Sequence, residues 1–292
     1  LWVSIGRSHA VYYDKLVASG AFTNVDEAIA HEFASLARYA QKLVVIDGDN
    51  ELMRTQTTQI AAEVVSVHVS ALKEYRVQPE TTTFTMTGGS FTFHDPMPRE
   101  TYLQLAMLET IMQRLERPIN YDLSTFVVPA GRNHFLKGKK DTKLIDSTYN
   151  AHLISMKSMI NMLNEMDMPH KWAVIGDMVE QGKSEAEEHA KLGHILGESG
   201  FERIVLVGRR VNTYTLPVVQ QAGGHEVVGF EKAQDALTYL QSHLAGGETI
   251  LFKGSQYLEW IVEKLLLDPA DTAYLARQDE AAKKRRASWR LN

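Results

Sequence analysis

The sequence predicts an α/β protein whose second half forms a doubly wound, mainly parallel sheet. From Phe126 onward, short apolar runs alternate with stretches of helical periodicity, and short links join them. Such alternation is typical of parallel strands, because a chain that returns to the same edge of a sheet needs a crossover. Right-handed crossovers then cover both faces of the sheet with helices.

Strands and helices are predicted in strict alternation in this half. The strands are expected at residues 143–145, 172–175, 203–207, 226–230 and 249–252. The helices are expected near residues 156–166, 185–196, 215–221, 233–244 and 257–267. The apolar periodicity changes from two to about 3.6 residues between the two kinds of segment.

The first half mixes strands and helices less regularly. A helix is predicted to begin after Asn24, since Glu27 three residues later completes a helix-start pattern. Gly88-Gly89 between two apolar alternating runs predicts a hairpin. The other elements are strands at residues 1–5, 43–46 and 64–69, hairpin strands at 82–86 and 91–94, and a long helix at 99–117.

The length and the change of pattern predict two domains. The 292 residues divide into a first domain at 1–127 and a second at 128–268, with a C-terminal tail at 269–292. The boundary is expected near residues 126–129. The basic run at 283–286 lies in the tail and is interpreted as a solvated surface.

The composition excludes several classes of protein. The formal net charge is −5, which does not favour a nucleic-acid partner. The absence of cysteine excludes disulfides and thiolate metal sites. No apolar run approaches the roughly 18–20 residues of a membrane helix, and no signal-peptide pattern opens the chain. We therefore expect a cytoplasmic protein without a membrane span.

The carboxyl ends of the parallel strands form the predicted site, because ligands of such sheets bind beyond those ends. The residues that follow these ends are Asp146, Asp177, Arg209, Arg210, Lys253, Gly254 and Ser255. Residues 176–184 do not form a phosphate-binding P-loop, since Gly176 and Gly182 are separated by five residues instead of four. Carboxylates in that segment would also oppose a bound triphosphate.

Four short sequence motifs follow one another along the second half, and their order is as specific as their residues. They read Pro129-Ala130-Gly131-Arg132, Ile145-Asp146-Ser147-Thr148-Tyr149-Asn150-Ala151, Gly176-Asp177-Met178 with Glu180, Gly182 and His189, and Lys253-Gly254-Ser255. Together they resemble the C-terminal domain of the Mur ligase family, whose members use ATP to add amino acids to a peptidoglycan precursor. The resemblance is greatest to the members that join D-alanyl-D-alanine to a UDP-N-acetylmuramoyl tripeptide.

The resemblance implies roles for individual residues. Arg132 and Asp146 match family residues that reach the nucleotide, so both are predicted to bind ATP and Arg132 to be catalytic. Lys253 is predicted to be catalytic, because an ammonium group can pair with a substrate carboxylate. The predicted substrate-facing residues are Asn150, Lys253, Ser255 and Asp177.

Structural roles compete with these assignments. Asp146 could cap the turn after its strand, Ser255 could cap the last helix, and Asn150 could be a turn residue. Arg132 could be an ordinary surface arginine. The histidines without a metal-ligand pattern nearby are interpreted as structural or loop residues: His189, His134 and His152.

The first half resembles part of the family's central, nucleotide-binding domain. Residues 5–9 are similar to a strand that ends in a magnesium-binding histidine, so His9 is predicted to bind the metal. Residues 47–50 are similar to an adenine-contacting motif, so Asp49 and Asn50 are predicted to bind the nucleotide. No lysine stands in residues 30–32, where the family carries a carbamylated lysine for a second metal.

The function that the resemblance implies is an ADP-forming amide ligase with ATP and Mg²⁺ as cofactors. Its expected partners are a UDP-MurNAc-peptide and a dipeptide or amino acid, and the complete enzyme is expected to be monomeric. Because the chain opens on an apolar strand and contains no P-loop, it is predicted to be a fragment that is inactive alone. Two alternatives remain, a non-catalytic Mur-ligase-like binding protein and a ligase of the same fold with another acceptor.

Overall fold

The computed structural model describes residues 2–3, 10–255, 257–288 and 291. The chain folds into two compact units, which are described separately. The first unit comprises Leu1–Arg76, Thr81–His94 and Arg99–Phe126, and the second comprises Val77–Glu80, Asp95–Pro98 and Val127–Asn292. None of the helices in the described ranges is both long and apolar enough to cross a membrane.

The first part of the chain contains two small sheets and several helices. Its elements are β1 (Trp2–Val3), α1 (Asp14–Ala18), α2 (Val25–Ser35), β2 (Leu43–Asp47), α3 (Glu51–Gln56), β3 (Glu63–Val67), β4 (Leu72–Gln78), β5 (Thr81–Met86), β6 (Ser90–Phe93) and α4 (Tyr102–Arg114). One sheet has the order β1-β2-β3 with parallel pairing, and the other has the order β4-β5-β6 with β5 antiparallel to β6.

The predicted helix start at Asn24 is confirmed, because its side chain accepts a hydrogen bond from the Glu27 amide at 2.9 Å. The long helix is shorter than predicted, because a 3₁₀ turn at Arg99–Thr101 precedes α4. Strand β4 was not predicted. Most of its side chains are exposed or half-buried, so it lacks the apolar alternation that marks a strand.

The second unit alternates strands and helices over most of its length. Its elements are β7 (His134–Lys137), β8 (Lys143–Ser147), α5 (Leu153–Glu165), β9 (Lys171–Gly176), α6 (Glu185–Gly197), β10 (Arg203–Val207), α7 (Leu216–Ala222), β11 (Glu226–Phe230), α8 (Ala233–His243), β12 (Thr249–Lys253), α9 (Leu258–Leu265) and α10 (Glu280–Ser288). A π-helical turn at Val211–Thr215 precedes α7.

The six-stranded sheet of this unit has the order β11-β10-β9-β12-β8-β7. All neighbours pair in parallel except β7, which is antiparallel to β8. The predicted α/β class with a mainly parallel sheet is confirmed. The prediction of a loop at His134 is wrong, because this residue begins β7, pairs with Asp146 and is buried.

The order of the strands creates a switch point in the sheet. Strand β12 enters between β8 and β9, although it follows β11 in the sequence. The carboxyl ends of β8, β12 and β9 therefore lie side by side. This is the position at which doubly wound sheets bind ligands, and each of the three ends carries a residue that the sequence singled out.

The segment predicted as a tail packs against the second unit. Leu275 and Leu291 belong to its hydrophobic core, and Ala276 and Ala282 are buried. The amide of Gly131 donates to the carbonyl of Tyr274 at 2.8 Å. The side chains of residues 283–285 on α10 are exposed, as predicted for a solvated basic run. The prediction is wrong for Arg286, which is buried and donates to Glu263 Oε2 at 2.7 Å. The end of the chain is thus structural and borders the loop that carries Arg132.

Candidate functional site

A buried lysine at the end of β12 organises the centre of the site. Lys253 is 5% exposed, and its Nζ donates to the carbonyls of Ser147 at 3.2 Å and Asn150 at 2.6 Å. Burial and, to a smaller extent, the charge of Arg132 lower the pKa of Lys253 to about 8, although the carboxylate of Asp146 opposes both effects. The lysine therefore ties β12 to the loop that follows β8.

Asp146 on β8 offers one unused carboxylate oxygen beside this lysine. Its Oδ1 accepts a hydrogen bond from the Thr148 amide at 3.1 Å, as a turn-capping aspartate would. Its Oδ2 is buried and has no hydrogen-bond partner among the described residues. Burial raises the pKa of Asp146 to about 6, although the bond from Thr148 lowers it. The turn-capping role thus uses Oδ1, while Oδ2 remains available to accept a hydrogen bond.

Arg132 lies at the surface of the same site. Its guanidinium stacks on the Tyr149 ring at 4.3 Å, and its side chain is exposed. Gly131 before it has a φ of +74°, and a Cβ there would lie 2.6 Å from the Ala276 Cβ. The glycine is therefore required for the loop to pass the C-terminal segment and present the arginine.

The loop after β12 packs tightly on the loop after β9. Gly254 has a φ of +140°, and a Cβ on it would lie 2.4 Å from the Gly176 Cα. Both the amide and the hydroxyl of Ser255 donate to the Asp177 carbonyl, at 3.1 and 2.5 Å. The alternative that Ser255 caps α9 is wrong, since that helix has Tyr257 at its N-cap and no side-chain cap. A substrate contact by Ser255 stays a prediction.

Asp177 is buried with partners from its own chain. Its Oδ1 accepts from the Val211 amide at 2.9 Å, and its Oδ2 lies 3.4 Å from Arg210 Nη1. The side chain is 1% exposed, so it braces the π-helical turn after β10. Its predicted contact with substrate stays a prediction, while the neighbouring Arg209 is exposed.

The remaining motif residues of this unit mainly support the backbone. His189 is fully buried, its Nε2 accepts from the Met178 amide at 3.1 Å, and its Nδ1 lies 2.7 Å from the Glu185 carbonyl. Burial lowers the pKa of His189, which favours the neutral ring that this geometry requires. Asn150 uses its side-chain oxygen to accept from the Ala151 amide at 2.8 Å. His152 is the N-cap of α5, not an ordinary loop residue.

The predicted nucleotide-binding residues of the first unit also have local partners. Asn50 caps α3 by accepting from the Met53 amide at 3.1 Å. Asp49 lies 2.8 Å from His68 Nδ1 and accepts from the Val69 amide at 2.7 Å. The hydrogen bond to His68 is the main cause that lowers the pKa of Asp49. Nucleotide binding by Asp49 and Asn50 stays a prediction.

The predicted metal ligand His9 lies outside the described residues. In the described part of the chain, no group of three or more His, Cys, Asp and Glu side chains is arranged to hold a metal ion. The Asp146 and Asp177 carboxylates of the second-unit site accept hydrogen bonds from the Thr148 and Val211 amides. We therefore assign no residue of this site to magnesium.

Sequence reasoning assigned no role to two charged residues behind the site. Glu259 on α9 is fully buried, its Oε2 lies 3.3 Å from Arg277 Nη1, and its Oε1 has no partner among the described residues. Burial raises the pKa of Glu259, and the charge of Arg277 opposes this. A glutamate among the apolar residues of α9 was the available signal. Nothing in the sequence pattern marked Arg277, which lies in the predicted tail.

Comparisons with known proteins agree with this arrangement. Residues 131–256 match the family described as Mur ligase, glutamate ligase domain. A UDP-N-acetylmuramoyl-tripeptide–D-alanyl-D-alanine ligase from Mycobacterium leprae is 30% identical over 128 residues, which are 38% of this chain and 25% of that protein. The ligase of the same name from Buchnera aphidicola subsp. Baizongia pistaciae is 26% identical over 90% of this chain and 59% of that protein.

A solved structure shows the same fold over nearly the whole chain. The MurF ligase from Thermotoga maritima, in complex with ADP, aligns with a TM-score of 0.69 at 17% identity, covering 96% of this chain and 61% of that one. The chain thus shares its fold with this MurF ligase. The chain is similar to Mur ligases, and its residues 131–256 match their glutamate ligase domain. It spans less than two thirds of these relatives.

The buried carboxyl of Asp146 should make stability depend on pH in a defined direction. Its pKa is raised from 3.8 to about 6, so the folded state retains a proton that the unfolded chain loses between these values. The stability that this proton contributes is fully present below pH 3.8 and is lost as the pH rises through about 6. Asp146→Asn removes this titration and keeps an oxygen for the Thr148 amide.

Urea unfolding of both proteins from pH 4 to 7 tests this expectation. The unfolding free energy of the wild type, minus that of Asp146→Asn, should fall as the pH rises, by on the order of 2–3 kcal/mol. Asp235→Asn, which removes an exposed carboxyl from α8, serves as the control. A difference between wild type and Asp146→Asn that stays constant over this range would contradict the raised pKa.

Proposed function

We propose that the complete protein is an ATP-dependent amide ligase of peptidoglycan precursor synthesis. It joins D-alanyl-D-alanine, or a similar amine, to the peptide carboxylate of a UDP-MurNAc-peptide and forms ADP and phosphate. The observation that carries the proposal is the cluster of buried Lys253 and Asp146 with the exposed Arg132, at the switch point of a sheet that matches a Mur ligase domain.

The reaction has two balanced steps. A carboxylate oxygen of the peptide forms a bond to the γ-phosphorus of ATP, the bond to the β,γ-bridging oxygen breaks, and ADP leaves. The amine nitrogen then bonds to the carbonyl carbon, the carbon–oxygen bond to phosphate breaks, and the amine proton passes to solvent. Each step develops negative charge on phosphate oxygens, so fixed cations lower its barrier.

The residues of this domain supply such cations and one acceptor. Arg132 presents a guanidinium at the surface, where it can neutralise phosphoryl oxygens. Lys253 supplies a second, buried positive charge whose pKa responds to Arg132, and it can attract a carboxylate. The free Oδ2 of Asp146 can accept a hydrogen bond from a ribose hydroxyl of the nucleotide. Because Asp146 is fully buried, a ligand can reach this oxygen only after a local rearrangement of the loops around it.

ATP is proposed as co-substrate, and a magnesium ion that accompanies ATP would supply further charge neutralisation on its phosphates. No step is assigned to a metal, because the described residues provide no ligand set for one. Monomeric state and cytoplasmic location stay predictions.

Product analysis with the complete gene product tests the proposed function. The protein is incubated with ATP, Mg²⁺ and UDP-MurNAc-tripeptide, together with D-alanyl-D-alanine, single D- and L-amino acids, or glutamate. ADP release and a mass gain of the UDP-MurNAc-peptide should both require an amine, and D-alanyl-D-alanine should be preferred. Ligation of another amine alone would support a ligase with a different acceptor. Binding of the UDP-sugar without ADP release would overturn the enzyme and favour a binding protein.

A further inference from the structure

Arg277 joins the C-terminal segment to the loop that follows β8. Its Nη1 donates to the Thr148 carbonyl at 3.0 Å, and its Nη2 donates to the Tyr149 carbonyl at 2.5 Å. The same Nη1 lies 3.3 Å from Glu259 Oε2, and this carboxylate is buried. The planar fork of the guanidinium thus meets two successive carbonyls while an ion pair orients it from behind.

Cations hold the loop at three successive carbonyl groups. Arg277 binds the carbonyls of Thr148 and Tyr149, and Lys253 Nζ binds that of Asn150 at 2.6 Å. On the amide side, Tyr149 donates to the Gly131 carbonyl at 3.1 Å. The loop therefore contacts the C-terminal segment, β12 and the Arg132 loop at once, and its position depends on all three.

The Tyr149 ring connects this loop to Arg132. The guanidinium of Arg132 stacks on the ring at 4.3 Å, and that of Arg277 lies 6.0 Å from the same ring. Tyr149 itself is 48% exposed, so few other contacts fix it. A shift of the loop would carry the ring with it and remove the support on which Arg132 lies.

We propose that Arg277 is a positioning residue of the ligase, which fixes residues 148–150 so that Tyr149 supports Arg132 and the Asn150 carbonyl holds Lys253. The residue lies in the C-terminal segment, beyond the matched residues 131–256. Its effect on the loop depends only on the contacts above, whereas its effect on catalysis rests on the proposed function. The two effects are therefore measured separately.

Amide hydrogen exchange of the chain tests the effect on the loop. Arg277→Ala should raise the exchange rate of the Tyr149 amide by about tenfold or more, while amides in β9 and β10 keep their protection. Arg277→Lys keeps the charge beside Glu259 but loses the planar fork, so it should fold normally and still expose the loop. Arg285→Ala on α10, where the side chain is exposed, is the matched control. Unchanged protection of Tyr149 in both Arg277 variants would overturn the proposal.

Kinetics of the complete gene product test the effect on catalysis. Arg277→Ala should lower kcat about tenfold or more, because a misplaced catalytic group slows the chemical step, while KM for the UDP-sugar stays close to that of Arg285→Ala. Added guanidinium ion should restore part of the lost kcat, which a merely destabilised domain would not show. If wild type forms no amide, the proposed function fails and the exchange data alone decide the role of Arg277. If exchange rises but kcat is unchanged, Arg277 holds the loop without positioning the site, which contradicts the proposal.

Discussion

Arg132→Ala should lower kcat for amide formation by about 10²–10³-fold while the fold stays intact. The expected loss is that of a cation which stabilises transferring phosphoryl oxygens. The side chain is exposed and stacks on Tyr149, so its removal should change the unfolding free energy by only about 0.5–1 kcal/mol.

Steady-state kinetics and urea unfolding of the same preparation separate the two effects. Arg132→Lys keeps a charge but not the planar, stacked geometry, so it should recover little of the lost kcat. Arg285→Ala is the control for loss of an exposed arginine. A kcat for Arg132→Ala within a factor of two of that control would show that Arg132 is an ordinary surface residue.

Lys253→Met should abolish most of the activity and also weaken the domain. The substitution keeps the length of the side chain but leaves the carbonyls of Ser147 and Asn150 without their donor. Each buried carbonyl that loses its partner costs roughly 1–3 kcal/mol, so the unfolding free energy should fall by that order. We expect kcat to fall by about 10²-fold, because the positive charge of Lys253 is lost together with its hydrogen bonds to the loop.

The pH profile distinguishes the charge of Lys253 from its structural role. Burial lowers the pKa of this ammonium group to about 8, so wild-type kcat should fall as the pH rises through that value and the group loses its proton. The residual rate of Lys253→Met should lack this fall, since no lysine titrates there. If the variant retained the same alkaline fall, another group would be responsible and the catalytic role of Lys253 would be wrong.

The sequence predicted the centre of the second sheet well because its central strands are buried on both faces. Strand β10 reads as a short apolar run bounded by polar links, and its predicted limits coincide with those of the structure. Strand β7 is different, because it is short, partly exposed and antiparallel at the sheet edge. Edge strands lack the double burial that produces the apolar signal.

The predicted site stays a prediction, and the roles of its individual residues depend on details that spacing does not contain. The switch point brings the ends of β8, β9 and β12 together, as strand alternation implied. Whether Asp177 faces a ligand or the Val211 amide depends on a π-helical turn that has no sequence signature. Arg277 could not be found, because its partners are backbone carbonyls more than a hundred residues earlier in the chain.

Transfer of oxygen from the peptide carboxylate to phosphate tests the proposed chemistry most directly. UDP-MurNAc-tripeptide whose reacting carboxylate carries ¹⁸O is incubated with the complete gene product, ATP, Mg²⁺ and D-alanyl-D-alanine. Phosphorylation of the carboxylate requires one labelled oxygen to appear in the released phosphate for each amide formed. Phosphate without label, or amide without ADP, would contradict an acyl phosphate and with it the assignment of Arg132 and Lys253 to phosphoryl transfer.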